Sequence, residues 1–108
     1  MKEILDQWAA GIAAHDSKAI AALFTEDAIF QGLHPYGVGR AAVAAYYDSQ
    51  PLGLTAKYDV LETRQLADNL ELAYLSVDFS FTDRPTITVN LSVLLRDGLI
   101  AHYQVSRL

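Results

Sequence analysis

His102, Gln104 and Ser106 alternate along one apolar-rich segment, and Tyr58, Glu62 and Arg64 alternate along another. Period-two spacing places each trio on one face of a β-strand. An imidazole there is a general base or acid, since an unperturbed histidine titrates near pH ~6.5. Burial lowers that value and a carboxylate neighbour raises it. Tyr58 offers a phenol to a developing oxyanion, and its ring serves as wall in either case. Gln104 and Ser106 offer donors to a ligand carbonyl. Plainer roles stand beside these. A histidine on an inner face is also a hydrogen-bonded core residue, and Gln104 and Ser106 also satisfy each other or a buried water. Glu62 and Arg64 are expected to meet solvent or each other, because unpaired buried charge is costly.

A second group is aromatic. Trp8, Phe30, Tyr46 and Tyr47 are candidates for lining the mouth of a binding cup, although an aromatic stripe on a helix equally builds core. His34 sits in a Gly-rich segment beside Pro35-Tyr36. Such a loop is a candidate lid, or an ordinary surface loop. No metal site is expected: His15, His34 and His102 lack ligand spacing. Gly37-Val38-Gly39 lacks the strand-before, helix-after context of a phosphate loop.

The elements that must position these residues divide by type. Helical periodicity covers about Lys2–Ala14, with Ile4, Leu5, Trp8 and Ile12 on one stripe. Asp16 is a good N-cap for a second helix whose apolar face is Ala19, Ile20, Leu23 and Phe24. Thr25-Glu26-Asp27 ends it, and Ala28–Gln31 reads as a short strand. Gly32–Gly39 holds three Gly and one Pro and reads as a loop. A third helix spans Arg40 to about Ser49, with Val43, Tyr46 and Tyr47 on one side. Four strands follow, near Leu54–Leu66, Leu70–Thr82, Thr86–Arg96 and Leu99–Arg107. Helices first and strands after predict an α+β domain covering residues 1–108. A 13-residue strand would stretch ~43 Å at ~3.3 Å per residue, so the long strands must curl, through a bulge.

Turn chemistry sets a register. Asp97-Gly98 is a strong two-residue hairpin signal. It places Arg96 opposite Leu99 and Leu95 opposite Ile100. Carried along, it sets Val93 opposite His102, Leu91 opposite Gln104 and Val89 opposite Ser106. The apolar row Ile87-Val89-Leu91-Val93-Leu95 then shares its face with His102, Gln104 and Ser106. Loops at Asp83–Pro85 and Asp68-Asn69 add Phe81, Phe79, Val77, Leu75 and Ala73, then Ala56, Tyr58, Val60, Glu62 and Arg64. Polarity alone would instead turn Tyr103 and Val105 inward. In the hairpin register Asp59 and Asp78 fall on the outer face and are set aside as catalytic groups. That face, with Leu61, Tyr74, Leu94, Tyr103 and Val105, is expected to be a homodimer surface.

Leu23-Phe24-Thr25-Glu26-Asp27-Ala28-Ile29-Phe30, Gly37-Val38-Gly39-Arg40 and Asp97-Gly98-Leu99-Ile100 occur here in an order that resembles the nuclear transport factor 2-like (NTF2-like; cystatin-like, SnoaL-like) superfamily, which includes ketosteroid isomerase. The resemblance spans essentially the whole chain. It implies three helices packed in the concave face of a strongly curved antiparallel sheet, a cone whose mouth holds a small apolar ligand, and dimers through the sheet's outer face. It also places Asp27 near the cup as a catalytic candidate, where capping preferences would make it a turn carboxylate. Polyketide cyclase-like members often end the last strand with a carboxylate, where this chain has Leu108. The inner face offers no central strand carboxylate of the ketosteroid isomerase kind.

Composition bounds the function. Thirteen acidic against eight basic residues give a formal charge of −5, which repels a phosphate backbone, so no nucleic-acid partner is expected. There is no cysteine, which excludes disulfides, thiol catalysis and Cys-ligated zinc. No apolar run approaches the ~20 residues of a membrane span. No export signal is evident, so a cytoplasmic setting is expected. Two function classes follow. One is a cofactor-free isomerase, cyclase or hydratase acting on a small apolar carbonyl compound, with His102 as base or acid, Tyr58 and Gln104 polarising the carbonyl, and Asp27 or His34 assisting. The alternative is a non-catalytic ligand-binding, dimerisation or interaction module.

Overall fold

The computed structural model describes residues 1–107, so Leu108 lies outside the described residues. Three helices and six strands follow in the order α1 (Lys2–Ala13), α2 (Ser17–Ala21), β1 (Phe24–Gln31), β2 (Tyr36–Val38), α3 (Arg40–Asp48), β3 (Thr55–Ala67), β4 (Leu70–Ser80), β5 (Ile87–Arg96) and β6 (Leu99–Arg107). The strands form one curved, unclosed sheet in the order β2-β1-β6-β5-β4-β3. All neighbours are antiparallel except β1 and β6, which run parallel. Among the described residues no helix is long and apolar enough to cross a membrane.

α1 buries Ile4, Leu5, Trp8 and Ile12, the stripe its periodicity predicts. It stops at a left-handed residue, His15 at φ 53°. The His15 amide bonds to Ile12 and the Asp16 amide to Gly11, the paired closure of a Schellman motif. Asp16 then caps α2, accepting the Ala19 N–H at 3.1 Å.

α2 ends at Ala21, earlier than its apolar spacing predicts. Phe24 instead opens β1, opposite Ile100, and the Leu23 carbonyl accepts the Ile100 N–H at 2.8 Å. Tertiary pairing overrides a weak local preference here. The predicted Gly32–Gly39 loop also contains β2, which pairs Ile29, Phe30 and Gln31 with Val38, Gly37 and Tyr36. Gly39 leaves that strand at φ 89° with its N–H on the Ala28 carbonyl, and α3 begins at the next residue.

One-residue slips decide which side chains face the core. The Asp97-Gly98 hairpin pairs Arg96 with Leu99 and Leu95 with Ile100, as turn chemistry predicts. The register then slips at Ala101, so Leu94 faces His102 and Val93 faces Tyr103. Tyr103, Val105 and Arg107 thereby join the inner row, and His102, Gln104 and Ser106 move to the outer face. The predicted inner placement of those three is corrected. Because side chains alternate, one extra residue reverses every position beyond it.

β3 slips twice, at Leu61 and Leu66. Ala56, Tyr58 and Val60 keep the expected face, because the two slips cancel there. Between the slips the parity is reversed, so Glu62 and Arg64 lie on the outer face, where they pair with each other at 2.9 Å. The β4–β5 pairing is offset by two residues from a three-residue loop, with Phe79 opposite Ile87, and an even offset preserves the face. The core therefore joins Ala73, Leu75, Val77, Val89, Leu91, Val93 and Leu95 to the apolar sides of the helices.

Candidate functional site

A cavity of about 720 Å³ opens among α3, the β1–β2 loop and one end of β4, β5 and β6. α3 contributes Tyr46 and Tyr47, the β1–β2 loop Leu33 and His34, and the sheet side Phe79, Phe81, Ile87, Tyr103 and Val105. Arg84 and Arg107 also line it, and among the described residues no Asp or Glu does.

Packed aromatic rings fix its inner end. Phe30 stacks on Tyr103 at 4.5 Å between centroids with their planes 14° apart. Tyr46 lies 4.9 Å from Phe30 and Tyr47 lies 5.8 Å from it, and Trp8 lies 6.0 Å from Tyr103. Such pairs each add about 0.5–1.5 kcal/mol beyond their buried area, so the cluster is held rigidly.

A directed set of hydrogen bonds runs through these rings. The Trp8 indole N–H donates to the Tyr47 hydroxyl at 3.0 Å, and Tyr47 donates to the Tyr103 hydroxyl at 3.4 Å. An indole nitrogen can only donate, which sets the direction of the first bond. The second bond is long for O–H···O, so the Tyr103 hydroxyl is weakly held. Among the described residues no acceptor takes its proton. Burial pushes the ionisation of Tyr47 up, against the opposing pull of its bonds to Tyr103 and Trp8. Burial, reinforced by Tyr47, pushes Tyr103 up as well. Both stay neutral phenols, able to donate, at any physiological pH.

The sequence-derived candidates divide. Tyr46, Tyr47 and His34 line the cavity; Phe30 and Trp8 are buried behind it and hold Tyr103 and Tyr47. His102, Gln104 and Ser106 lie on the other face of the sheet. Tyr58 belongs to a separate groove between α1 and β3, where its hydroxyl donates to Asp6. Asp27 sits where β1 slips against β6 and does not line the cavity. It accepts from Thr25 at 2.9 Å and from Arg96 at 2.6 Å, and the Arg96 bond, then Thr25, holds its carboxyl below the usual range. Tyr103, Phe79, Phe81, Val105, Arg84 and Arg107 line the cavity without having been singled out as site residues. The polarity pattern that turns Tyr103 and Val105 inward was the signal for the last strand.

The opposite end of the sheet is acidic. Glu3, Asp68, Glu71 and Asp97 surround a depression of about 640 Å³ beside the Asp68-Asn69 and Asp97-Gly98 turns.

No family model and no curated protein sequence matches the chain. Solved structures do match. A domain of unknown function with a cystatin-like fold from Nostoc punctiforme is 18% identical, covering 98% of this chain and 74% of its own, with a TM-score of 0.85. An NTF-2 like protein of unknown function from Shewanella oneidensis is 16% identical over 97% of this chain and 94% of its own, at TM-score 0.82. A ketosteroid isomerase-like protein from Erwinia carotovora atroseptica is 18% identical over 99% and 92%, at TM-score 0.77. The helices, the curved sheet and its strand order thus give this chain the fold shared by cystatin-like, NTF2-like and ketosteroid isomerase-like proteins.

Proposed function

We propose that this chain binds a small, largely apolar molecule bearing an acceptor oxygen, in a cone formed where the three helices close the concave side of the sheet. The cavity of about 720 Å³, walled by aromatic and aliphatic side chains, carries this reading. It falls within the ~300–1,000 Å³ of typical ligand sites. The Tyr103 hydroxyl, left with a proton to give, supplies the polar anchor. Recognition is favoured over proton transfer, because among the described residues no carboxylate lines the cavity and the His102 imidazole is on the other face. His34 is the one imidazole at the rim.

A cyclohexyl ketone ester, methyl 4-cyclohexyl-4-oxobutanoate, tests this. It should raise the melting temperature and perturb the emission of Trp8, the single tryptophan. A ligand at a hundredfold excess over its dissociation constant stabilises by about 2.7 kcal/mol. Tyr103→Phe keeps the ring and removes the donor. It should weaken binding five- to tenfold, on the order of 1 kcal/mol for one hydrogen bond. Neither a thermal shift nor a Trp8 change would mean that the cavity is not a ligand site.

The same fold supports a homodimer through the outer face of the sheet. Ile29 and Val38, opposite each other on β1 and β2, are 43% and 52% exposed, and Leu94 and Leu72 extend their row across the sheet. Light scattering should give a dimer for the wild type and a monomer for Leu94→Arg. A monomeric wild type at high micromolar concentration would refute it.

A further inference from the structure

We propose that the ligand is an anion: an apolar molecule with a ketone-like oxygen at its inner end and a carboxylate at the mouth. This rests on the cavity being a ligand site, and it names the chemical class.

The charge of the lining carries the inference. Acidic residues outnumber basic ones thirteen to eight in the chain, yet among the described residues the cavity is lined by two arginines and a histidine and by no acid. β6 arranges the groups in order along one inner row. Tyr103 faces Val93, Val105 faces Leu91 and Arg107 faces Val89. Phenol, aliphatic side chain and guanidinium therefore follow one another from the aromatic floor to the mouth. Four residues of strand separate the two polar ends by about 13 Å of backbone. The arginine side chain is long and flexible, so its guanidinium can meet a carboxylate inward of its own backbone position.

The two arginines are not equivalent. Arg84 lies over the Phe81 ring at 4.8 Å and is paired with Asp83 at 3.1 Å. Asp83 is the carboxylate next to the rim, and Arg84 already engages it. Among the described residues Arg107 has no carboxylate within ion-pair reach. A guanidinium matches a carboxylate with two parallel donors, which a neutral ester cannot exploit equally. Glu3, Asp68, Glu71 and Asp97 gather at the far end of the sheet around the Met1 ammonium, which pairs with Glu3 and Glu71, so that end is still net acidic and favours anions less than the mouth does.

Calorimetry with 4-cyclohexyl-4-oxobutanoate and its methyl ester tests this at two salt concentrations. The acid should bind about tenfold more tightly than the ester, as a charge-assisted bond at a solvated rim allows. That preference should shrink as salt rises. Arg107→Gln should remove most of it by weakening the acid far more than the ester, whereas Tyr103→Phe should weaken both ligands alike. Equal binding of acid and ester by the wild type would overturn the anion assignment while the cavity remained a ligand site. A preference surviving both Arg107→Gln and Arg84→Gln would also overturn it. If neither the acid nor the ester binds, the ligand site falls as well.

Discussion

Tyr58 and Asp6 show how one hydrogen bond reassigns a residue. The phenol donates to the carboxylate across α1 and β3, so it is committed to structure. Burial first, and Asp6 second, push its ionisation up to about 12. A folded-state value above the unfolded one, near ~10, gives stability that is complete below pH ~10 and is lost as pH rises toward 12. Absorbance titration should therefore show Tyr58 ionising late. Asp6→Asn should move it only part of the way back, because burial remains. A full return to the ordinary tyrosine value would show that the carboxylate alone sets it. Asp27 works with the opposite sign. Its depressed carboxyl favours the folded state above pH ~4, and that contribution disappears as pH falls through the lowered value. In an NMR titration Arg96→Gln should bring the Asp27 midpoint up toward the ordinary carboxylate range.

At the scale of elements, the chain's ends and turns carry specific backbone demands. His15 closes α1 in the left-handed region that glycine occupies without strain. His15→Gly should raise stability in urea unfolding, by about 0.5 kcal/mol, since relief of left-handed strain is partly offset by a freer unfolded chain. Gly39 makes the reverse demand. Its φ is 89°, and an added Cβ would sit 3.0 Å from the Glu26 carbonyl oxygen. Gly39→Ala should cost about 1–3 kcal/mol in the same measurement. What could be read from sequence followed the same division. α1, its stripe, the approximate limits of the last four strands and the apolar row of β5 were legible, because periodicity and turn residues are local signals. The Ala101 slip was not, since a hairpin turn fixes only the register beside it. Phe24 fitted two patterns at once, the helical face with Ile20 and the first inward position of β1. Only its pairing with Ile100, far along the chain, decided between them.

At the scale of the whole molecule, the aromatic floor and the cationic mouth were hidden from sequence for one reason. Both depend on Tyr103, Val105 and Arg107 facing inward, and a single extra residue decides that. The hydroxyl relay joins α1, α3 and β6 through Trp8, Tyr47 and Tyr103, which lie far apart in the chain. Trp8 emission should therefore report on all three elements together. Tyr47→Phe should shift it even without ligand, by removing the acceptor of the indole N–H. An unchanged spectrum would place that bond outside the solution state.

The parallel pairing of β1 with β6 has a consequence for the nascent chain. Phe30 waits for Tyr103, 103 − 30 = 73 residues later. At ~5–20 residues per second of synthesis that is roughly 4–15 s. β3, β4 and β5 form from adjacent hairpins and can assemble meanwhile. β1 can pair only with β2, and through that interval its β6 side, with Phe24, Ile29 and Phe30, stays an unpaired edge, the kind of segment that holding chaperones recognise. Chains arrested before Leu99 should bind such a chaperone, and chains released after Arg107 should not.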